Sequence, residues 1–118
     1  MRILIIDSDP QTATIVEGTA GNGNEVVAMT SGFAALERIA IGRAFDIIFC
    51  ELDLPDLSGK EIHRRLVESA PTTAAKLVFL VTDMKAHRPF LDGLRNHYLQ
   101  RPFNAASVRE TIRAMALR

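Results

Sequence analysis

Short apolar runs alternate along the chain with stretches in which apolar residues recur at helical spacing. Five of these runs are predicted to be strands: Arg2 to Ile6, Glu25 to Met29, Ile47 to Cys50, Leu77 to Val81 and His97 to Gln100. Runs that are apolar at every position indicate strands covered on both faces, as in a parallel sheet. The alternation of five strands with about five helices therefore predicts an α/β fold with one doubly wound parallel sheet.

Capping residues mark the predicted helix starts, which are Asp9, Ser31, Ser58 and Asn104. Ser58 and Glu61 have the spacing of a capping box, so a helix is expected to begin near Gly59. We predict a loop from Pro71 to Ala75. The segment from Met84 to Leu94 contains a proline and a glycine, and we predict at most a short or broken helix there.

Composition limits the class of protein. A chain of 118 residues is long enough for one domain, which we expect to span residues 1–118. The 14 basic and 14 acidic residues balance, so no overall field favours nucleic acid or an anionic membrane. A single cysteine, Cys50, excludes an intramolecular disulfide and is expected to be buried. Without a membrane-length apolar run or a signal-like start, the cytoplasm is the expected location.

Polar residues follow the predicted strands at the points where they end. They are Asp7, Ser8, Glu51, Asp53, Thr82, Asp83 and Arg101. Each alone has an ordinary structural explanation, such as the frequent occurrence of aspartate in turns, but the carboxyl ends of parallel strands meet at one edge of a sheet, where open α/β sheets bind ligands. The stretch from Asp46 to Gly59, DIIFCELDLPDLSG, is central because it brings a strand directly into this edge. The sequence therefore predicts a functional site there.

Four segments carry a resemblance to a known family: RILIIDSDP, DIIFCELDLPDLSG, LVFLVTD and YLQRPF. In this order and spacing the chain resembles, over essentially its whole length, the receiver domains of response regulators in two-component phosphorelays. The resemblance implies a flavodoxin-like (CheY-like) five-stranded parallel sheet in the order 2-1-3-4-5.

The resemblance also implies the site residues. Glu51 stands at the phosphoacceptor position, where the family has aspartate. The implied magnesium ligands are Asp7, Glu51 and the backbone carbonyl of Asp53, while Ser8 replaces the second acid of the pair that holds the metal. Because Mg²⁺ relies on carboxylates to offset its dehydration, we expect its binding here to be weak or lost.

The remaining site positions are implied in the same way. Thr82 and Tyr98 match the family's switch residues, and Arg101 replaces its lysine. Asp83 adds an acid to the pocket where a small residue is usual. We hypothesise that Arg101 forms an internal salt bridge with Glu51 in place of the phosphoryl switch. The alternative is that this pair only fills the space of a decayed site.

These changes predict a degenerate receiver, or pseudo-receiver, that is not an enzyme and works by protein contact. The expected partners are a histidine kinase or another signalling protein, or a second copy bound through the face from Met84 to Arg118, with no nucleic acid or membrane. RPFLDGL and YLQRPF look most like receivers of hybrid histidine kinases.

The first alternative to a pseudo-receiver is a working phosphoacceptor. A flavodoxin-like cofactor binder is disfavoured because the Asp7 to Pro10 loop is acidic. His63, His87 and His97 are expected at the surface.

Overall fold

The strands of the computed structural model, which describes residues 1–117, form one parallel sheet. They are β1 (Arg2–Ile6), β2 (Glu25–Met29), β3 (Ile47–Glu51), β4 (Leu77–Val81) and β5 (Tyr98–Gln100). Their order is β2-β1-β3-β4-β5, and every neighbouring pair is parallel. This confirms the predicted flavodoxin-like sheet, with β5 as one of its two edge strands.

Six helices in the described chain cover the two faces of the sheet. They are α1 (Pro10–Ala20), α2 (Gly32–Ile41), α3 (Gly59–Ser69), α4 (Pro71–Ala74), α5 (Met84–Asp92) and α6 (Ala105–Ala116). Buried residues of α1 and α6 pack on one face, and those of α2, α3 and α5 pack on the other. Strand β5 is therefore flanked by α5 on one face and by α6 on the other.

One local prediction was wrong, and a second holds in a segment that contains a proline. The segment predicted as a loop begins with the single-turn helix α4, because Pro71 fits the first turn of a helix, where its missing N–H is not needed. Between Met84 and Leu94, where at most a short or broken helix was predicted, α5 is short, at nine residues, and continues past Pro89. The Asp83 cap and the buried side chain of Leu91 stabilise the helix, and this offsets the backbone hydrogen bond that proline cannot donate.

The predicted caps are confirmed at four helix starts. Backbone N–H groups donate to the side chains of the capping residues, which are Asp9 for α1, Ser31 for α2, Ser58 for α3 and Asn104 for α6. For α3 only the Ser58 half of the predicted capping box is seen, since the Glu61 carboxylate binds Arg64 and Arg65. Polar capping residues thus fix where each helix leaves the carboxyl edge of the sheet.

The three central strands form the core. In β4 all five residues, Leu77 to Val81, are buried, and in β3 only the last residue, Glu51, is partly exposed. Cys50 is fully buried as predicted, and burial raises the pKa of its thiol far above the ordinary value. No helix within residues 1–117 has the length and apolar character needed to cross a bilayer.

Gly59, the first residue of α3, lies directly against the end of β3. Its N–H donates to the carbonyl of Leu52 at 3.0 Å. A Cβ atom at this position would lie 2.7 Å from the carbonyl oxygen of Glu51 and 3.0 Å from the Cα of Leu52. Because both neighbours are backbone atoms of the central strand and its loop, a side chain here would displace the segment that positions Glu51.

We therefore predict that Gly59→Ala lowers the free energy of unfolding by about 1–3 kcal/mol, as overpacking does. Gly18→Ala is the matched control, since nothing lies within 4 Å of the added methyl group in the middle of α1. It is expected to raise the free energy of unfolding by roughly 0.5–1 kcal/mol. Urea unfolding of both variants measures the difference, and equal effects at the two glycines would contradict the close approach.

Candidate functional site

The carboxyl edge of the sheet gathers the predicted site residues. Asp7 follows β1, Glu51 ends β3, Thr82 and Asp83 follow β4, and Arg101 follows β5. Asp7 is buried, Glu51 and Arg101 are half-buried, and Thr82 and Asp83 are exposed. The edge therefore combines one charge removed from solvent with several polar groups that remain accessible.

Glu51 is held by Ser8. The backbone N–H of Ser8 donates to Glu51 Oε2 at 2.9 Å. The Ser8 hydroxyl lies 2.8 Å from Oε2 and 3.2 Å from Oε1 of the same carboxylate. The residue that replaces an acid of the family pattern thus acts as a hydrogen-bond donor to the residue at the phosphoacceptor position.

Asp7 is the buried carboxylate of the site, and both of its oxygens are hydrogen-bonded. The backbone N–H of Asp9 donates to Oδ1 at 2.9 Å, and the Thr12 hydroxyl donates to Oδ2 at 2.5 Å. Arg101 Nη2 forms an ion pair with Oδ2. Burial raises the pKa of Asp7, but the bonds from Thr12, Asp9 and Arg101 together outweigh it and hold the pKa below its ordinary value.

The hypothesis that Arg101 pairs with Glu51 is wrong in this structure. Among the described residues Arg101 forms its ion pair with Asp7, and its Nη1 also donates to the Thr12 hydroxyl at 3.2 Å. The side chain of Asp7 is only 2% exposed, so its charge needs a partner more than that of Glu51, which has a donor in Ser8. Thr12 was not predicted as part of the site. Its position in the first turn of α1, shortly after Asp7, indicates that it lies at the same edge.

Asp83 lies at the predicted edge, but its side chain caps a helix. Its carboxylate accepts a hydrogen bond from the N–H of Ala86 at 3.1 Å and caps α5. The side chain is exposed, so its charge is solvated rather than enclosed with Glu51. A capping residue before a helical segment is a sequence signal that was not used for this aspartate.

Asp53 and Asp56, in the loop after β3, tie that loop to two helices. Asp53 Oδ1 lies 2.9 Å from Nε2 of His87 on α5. Asp56 accepts hydrogen bonds from the N–H groups of Gly32 and Phe33 at the start of α2, at 3.0 and 3.1 Å. These two bonds, with a third from the Ser31 hydroxyl, lower the pKa of Asp56 to about 2. The loop is therefore fixed from both sides by its own acids.

The histidines were expected at the surface, and the structure corrects two of them. His63 is half-buried against the rings of Phe79 and Phe90, with ring centroids 5.9 and 5.6 Å away. Burial lowers the pKa of His63. The side chain of His87 is 21% exposed because it turns to Asp53. His97 is exposed, as predicted.

The two positions that match the family's switch residues have different surroundings. Thr82 lines an open cleft of about 370 Å³ together with Arg101, Thr12 and Asp9. Tyr98, on the edge strand β5, is 41% exposed. Their signalling role remains a prediction.

The residues present do not fit the magnesium ion that the resemblance implies. Within residues 1–117 no three His, Cys, Asp or Glu side chains are grouped as metal ligands would be. Of the expected ligands, Asp7 already has a guanidinium on one oxygen and an N–H on the other, and Glu51 faces Ser8. A positive side chain next to the one buried carboxylate opposes a divalent cation at the same place.

Comparison with known proteins agrees with the resemblance noted in the sequence. The family model for the response regulator receiver domain matches residues 3–113. The chain is 26% identical to the transcriptional regulatory protein CutR of Streptomyces coelicolor over 119 residues, covering 100% of this chain and 54% of CutR. It thus spans about half the length of the transcriptional regulators that it matches.

Two solved structures have a similar fold. A response regulator from Chloroflexus aurantiacus has a TM-score of 0.83 at 26% identity, over 99% of this chain and 98% of that chain. The receiver domain of a sensor histidine kinase from Pseudomonas aeruginosa has a TM-score of 0.79 at 23% identity, over 98% of this chain and 97% of its own. That structure has a magnesium ion coordinated in its active-site cleft. At this identity the likeness concerns the fold.

The Arg101–Asp7 pair leads to a prediction on stability and pH. Arg101→Ala should lower the free energy of unfolding by about 2 kcal/mol, because a hydrogen bond to a buried charge is lost. The pKa of Asp7 should rise, since burial is then opposed by fewer donors. A lowered pKa stabilises the fold above the unfolded value, and this contribution is lost as pH falls through the folded pKa. Acid unfolding of the variant should therefore begin at higher pH.

Circular dichroism during acid titration measures this shift. Arg113→Ala is the control, because Arg113 is exposed and forms no ion pair with a carboxylate in the described part of the chain. An Arg101→Ala variant that unfolds at the same pH as the parent would show that the pair does not stabilise Asp7.

Proposed function

Because the chain belongs to the response regulator receiver domain family, we propose that it is a two-component signalling module that is not phosphorylated in the usual way and acts by protein contact. The observation that carries this proposal is the pair formed by Ser8 and Glu51. The carboxylate at the phosphoacceptor position is engaged at both oxygens by one neighbouring residue. Nucleophilic attack would require it to leave these donors.

Side-chain length supports the same conclusion. Glutamate is one methylene longer than aspartate, and in-line phosphoryl transfer depends on placement of the reacting oxygen to within a fraction of that length. Here the extra length lets the carboxylate reach Ser8, whose position in the family pattern belongs to an acid. An acid at that position would repel Glu51, so the two replacements are consistent with each other.

The cation of the site also supports the proposal. Phosphoryl transfer needs positive charge on the transferring group, supplied by a metal ion and a basic side chain. Arg101 is the basic residue of this edge, and its guanidinium is committed to Asp7 and Thr12. A phosphoryl group on Glu51 would have to compete with a buried carboxylate for this charge.

Incubation with Mg²⁺ and acetyl phosphate, followed by intact-mass measurement, tests the proposal. We expect no phosphate-sized gain in mass. The matched control is the triple variant Ser8→Asp, Glu51→Asp and Arg101→Lys, which restores the family's acid pair, phosphoacceptor and lysine and is expected to gain the mass of one phosphoryl group. A Mg²⁺-dependent gain in the parent chain, on Glu51 or on the neighbouring Asp53, would establish the alternative of a working phosphoacceptor.

Thermal unfolding with and without Mg²⁺ gives an independent prediction. A ligand that binds only the folded state stabilises it by about 2.7 kcal/mol at one hundred times its Kd. We expect no rise in the unfolding temperature of the parent at millimolar Mg²⁺, and a rise in the triple variant. Ca²⁺-free and EDTA-treated samples exclude carried-over metal, and a clear rise in the parent would contradict the poor fit of its donor set.

A further inference from the structure

A groove of about 400 Å³ lies between α3 and α5. Lys60, Arg64 and Val67 follow one another at helical spacing along its α3 side, and Phe90 lines it from α5. None of the residues of the carboxyl-edge site is among its lining residues. Small-molecule pockets usually measure roughly 300–1,000 Å³, so the groove is large enough for a ligand of its own.

Three packed rings underlie this groove. His63 and Phe90 line it, and both make edge contacts with the buried ring of Phe79. The ring centroids of His63 and Phe90 are 5.6 Å apart, and those of Phe79 and Phe90 are 5.4 Å apart. Because Phe79 belongs to the central strand β4, the core fixes the positions of the two rings that line the groove. The groove therefore has a preformed aromatic surface, which suits a flat aromatic ligand.

The ring of His63 has hydrogen-bonding capacity that the protein does not use. Burial lowers the pKa of His63, so its imidazole is neutral at pH 7, with one donor nitrogen and one acceptor nitrogen. Within residues 1–117 its contacts are with the rings of Phe79 and Phe90, and neither nitrogen has a hydrogen-bond partner. A half-buried polar group of this kind favours a ligand that bonds to it.

The charges at the rim of the groove favour an anionic ligand. Glu61 and Glu68 both accept hydrogen bonds from Arg64, so these three charges are already paired. Lys60 forms no ion pair among the described residues, and its Nζ lies 5.8 Å from the centre of the Phe90 ring. The charge that is left at the groove is thus one ammonium group beside an aromatic ring. It attracts a carboxylate and repels a cation.

We propose that the groove between α3 and α5 binds a small aromatic carboxylate. The ligand's ring lies against Phe90 and Val67, its carboxylate pairs with Lys60, and a polar ring atom bonds to His63. The Lys60 ammonium and the His63 ring are 5.8 and 5.6 Å from the centre of the Phe90 ring, so one bicyclic ligand with a short acidic side chain reaches all three. Val67, now 47% exposed, is covered by the ligand. This site goes beyond the proposed function and does not depend on it.

Indole-3-acetate is the probe for this site, because it combines a bicyclic aromatic ring with an N–H group and a carboxylate. Indole-3-acetamide has the same ring without the charge, and cyclohexylacetate, used as a competitor, has the charge without the aromatic ring. The chain contains no tryptophan, so indole fluorescence during titration of the full chain follows the probe alone. NMR of the His63 ring protons and the Val67 methyl groups locates the binding.

Two variants change the groove at exposed positions. Lys60→Gln removes the charge, and Val67→Asp replaces an apolar contact with a negative charge. The matched controls are Lys85→Gln on α5 and Ile41→Asp at the end of α2, since both residues are exposed and neither lines the groove. Circular dichroism confirms that every variant is folded.

We expect indole-3-acetate to bind the parent saturably, with shifts at His63 and Val67, and to bind more tightly than the other two compounds. Lys60→Gln should raise its Kd by about fivefold, as expected for the loss of an exposed ion pair. Val67→Asp should raise the Kd by about tenfold or more, because the ligand then meets a like charge. Each control should stay within about twofold of the parent.

Four results would overturn the proposal. They are the absence of saturable binding, an equal Kd for the acetate and the acetamide, equal losses in the groove and control variants, and a dimer of the parent that Val67→Asp dissociates. Tighter binding of the peptide Gly-Gly-Trp than of indole-3-acetate would also reject a small-molecule site, since it would assign the groove to the carboxyl end of a protein chain. None of these results bears on phosphorylation, which the mass measurement with acetyl phosphate tests separately.

Discussion

The buried carboxylate of Asp7 is the constraint on which the site depends. A carboxylate that is almost inaccessible to water must have a cation or several donors near it, or it loses its charge. Here the chain supplies the cation itself, as Arg101, which directly follows the edge strand β5. The Thr12 hydroxyl and the Asp9 N–H are further donors. Strands β1 and β5 are thereby connected across the edge without an ion from solvent.

The contact between Ser8 and Glu51 follows from the same electrostatics. With Asp7 ionised beside it, a second acid at the position of Ser8 would need a divalent cation to offset the repulsion. A serine removes that need and provides a donor, and the longer glutamate reaches it. The residues at these positions therefore form a set in which the buried Asp7 carboxylate is paired with Arg101 and the Glu51 carboxylate is hydrogen-bonded to Ser8. A single reversion, such as Glu51→Asp alone, would leave Ser8 and Arg101 suited to a different arrangement.

The sequence was sufficient for elements whose signal is local. Apolar runs predicted all five strands, and capping residues such as Asp9 and Ser58 predicted helix starts. The partner of Arg101 was not predictable in this way, because Asp7 and Glu51 are equally acidic in a sequence and only burial distinguishes them. Whether α5 would be short or broken was also left open by the sequence, since the packing that compensates for Pro89 comes from residues distant in the chain.

The way in which the charges of the site are satisfied bears on the regulation of the chain. At the carboxyl edge the buried charge has a partner within the chain, so little free energy is available there for a diffusible ion or phosphoryl group to change the conformation. Under the proposed function, binding of a protein partner would then depend on the concentration of that partner and on salt, rather than on the phosphorylation state of the receiver.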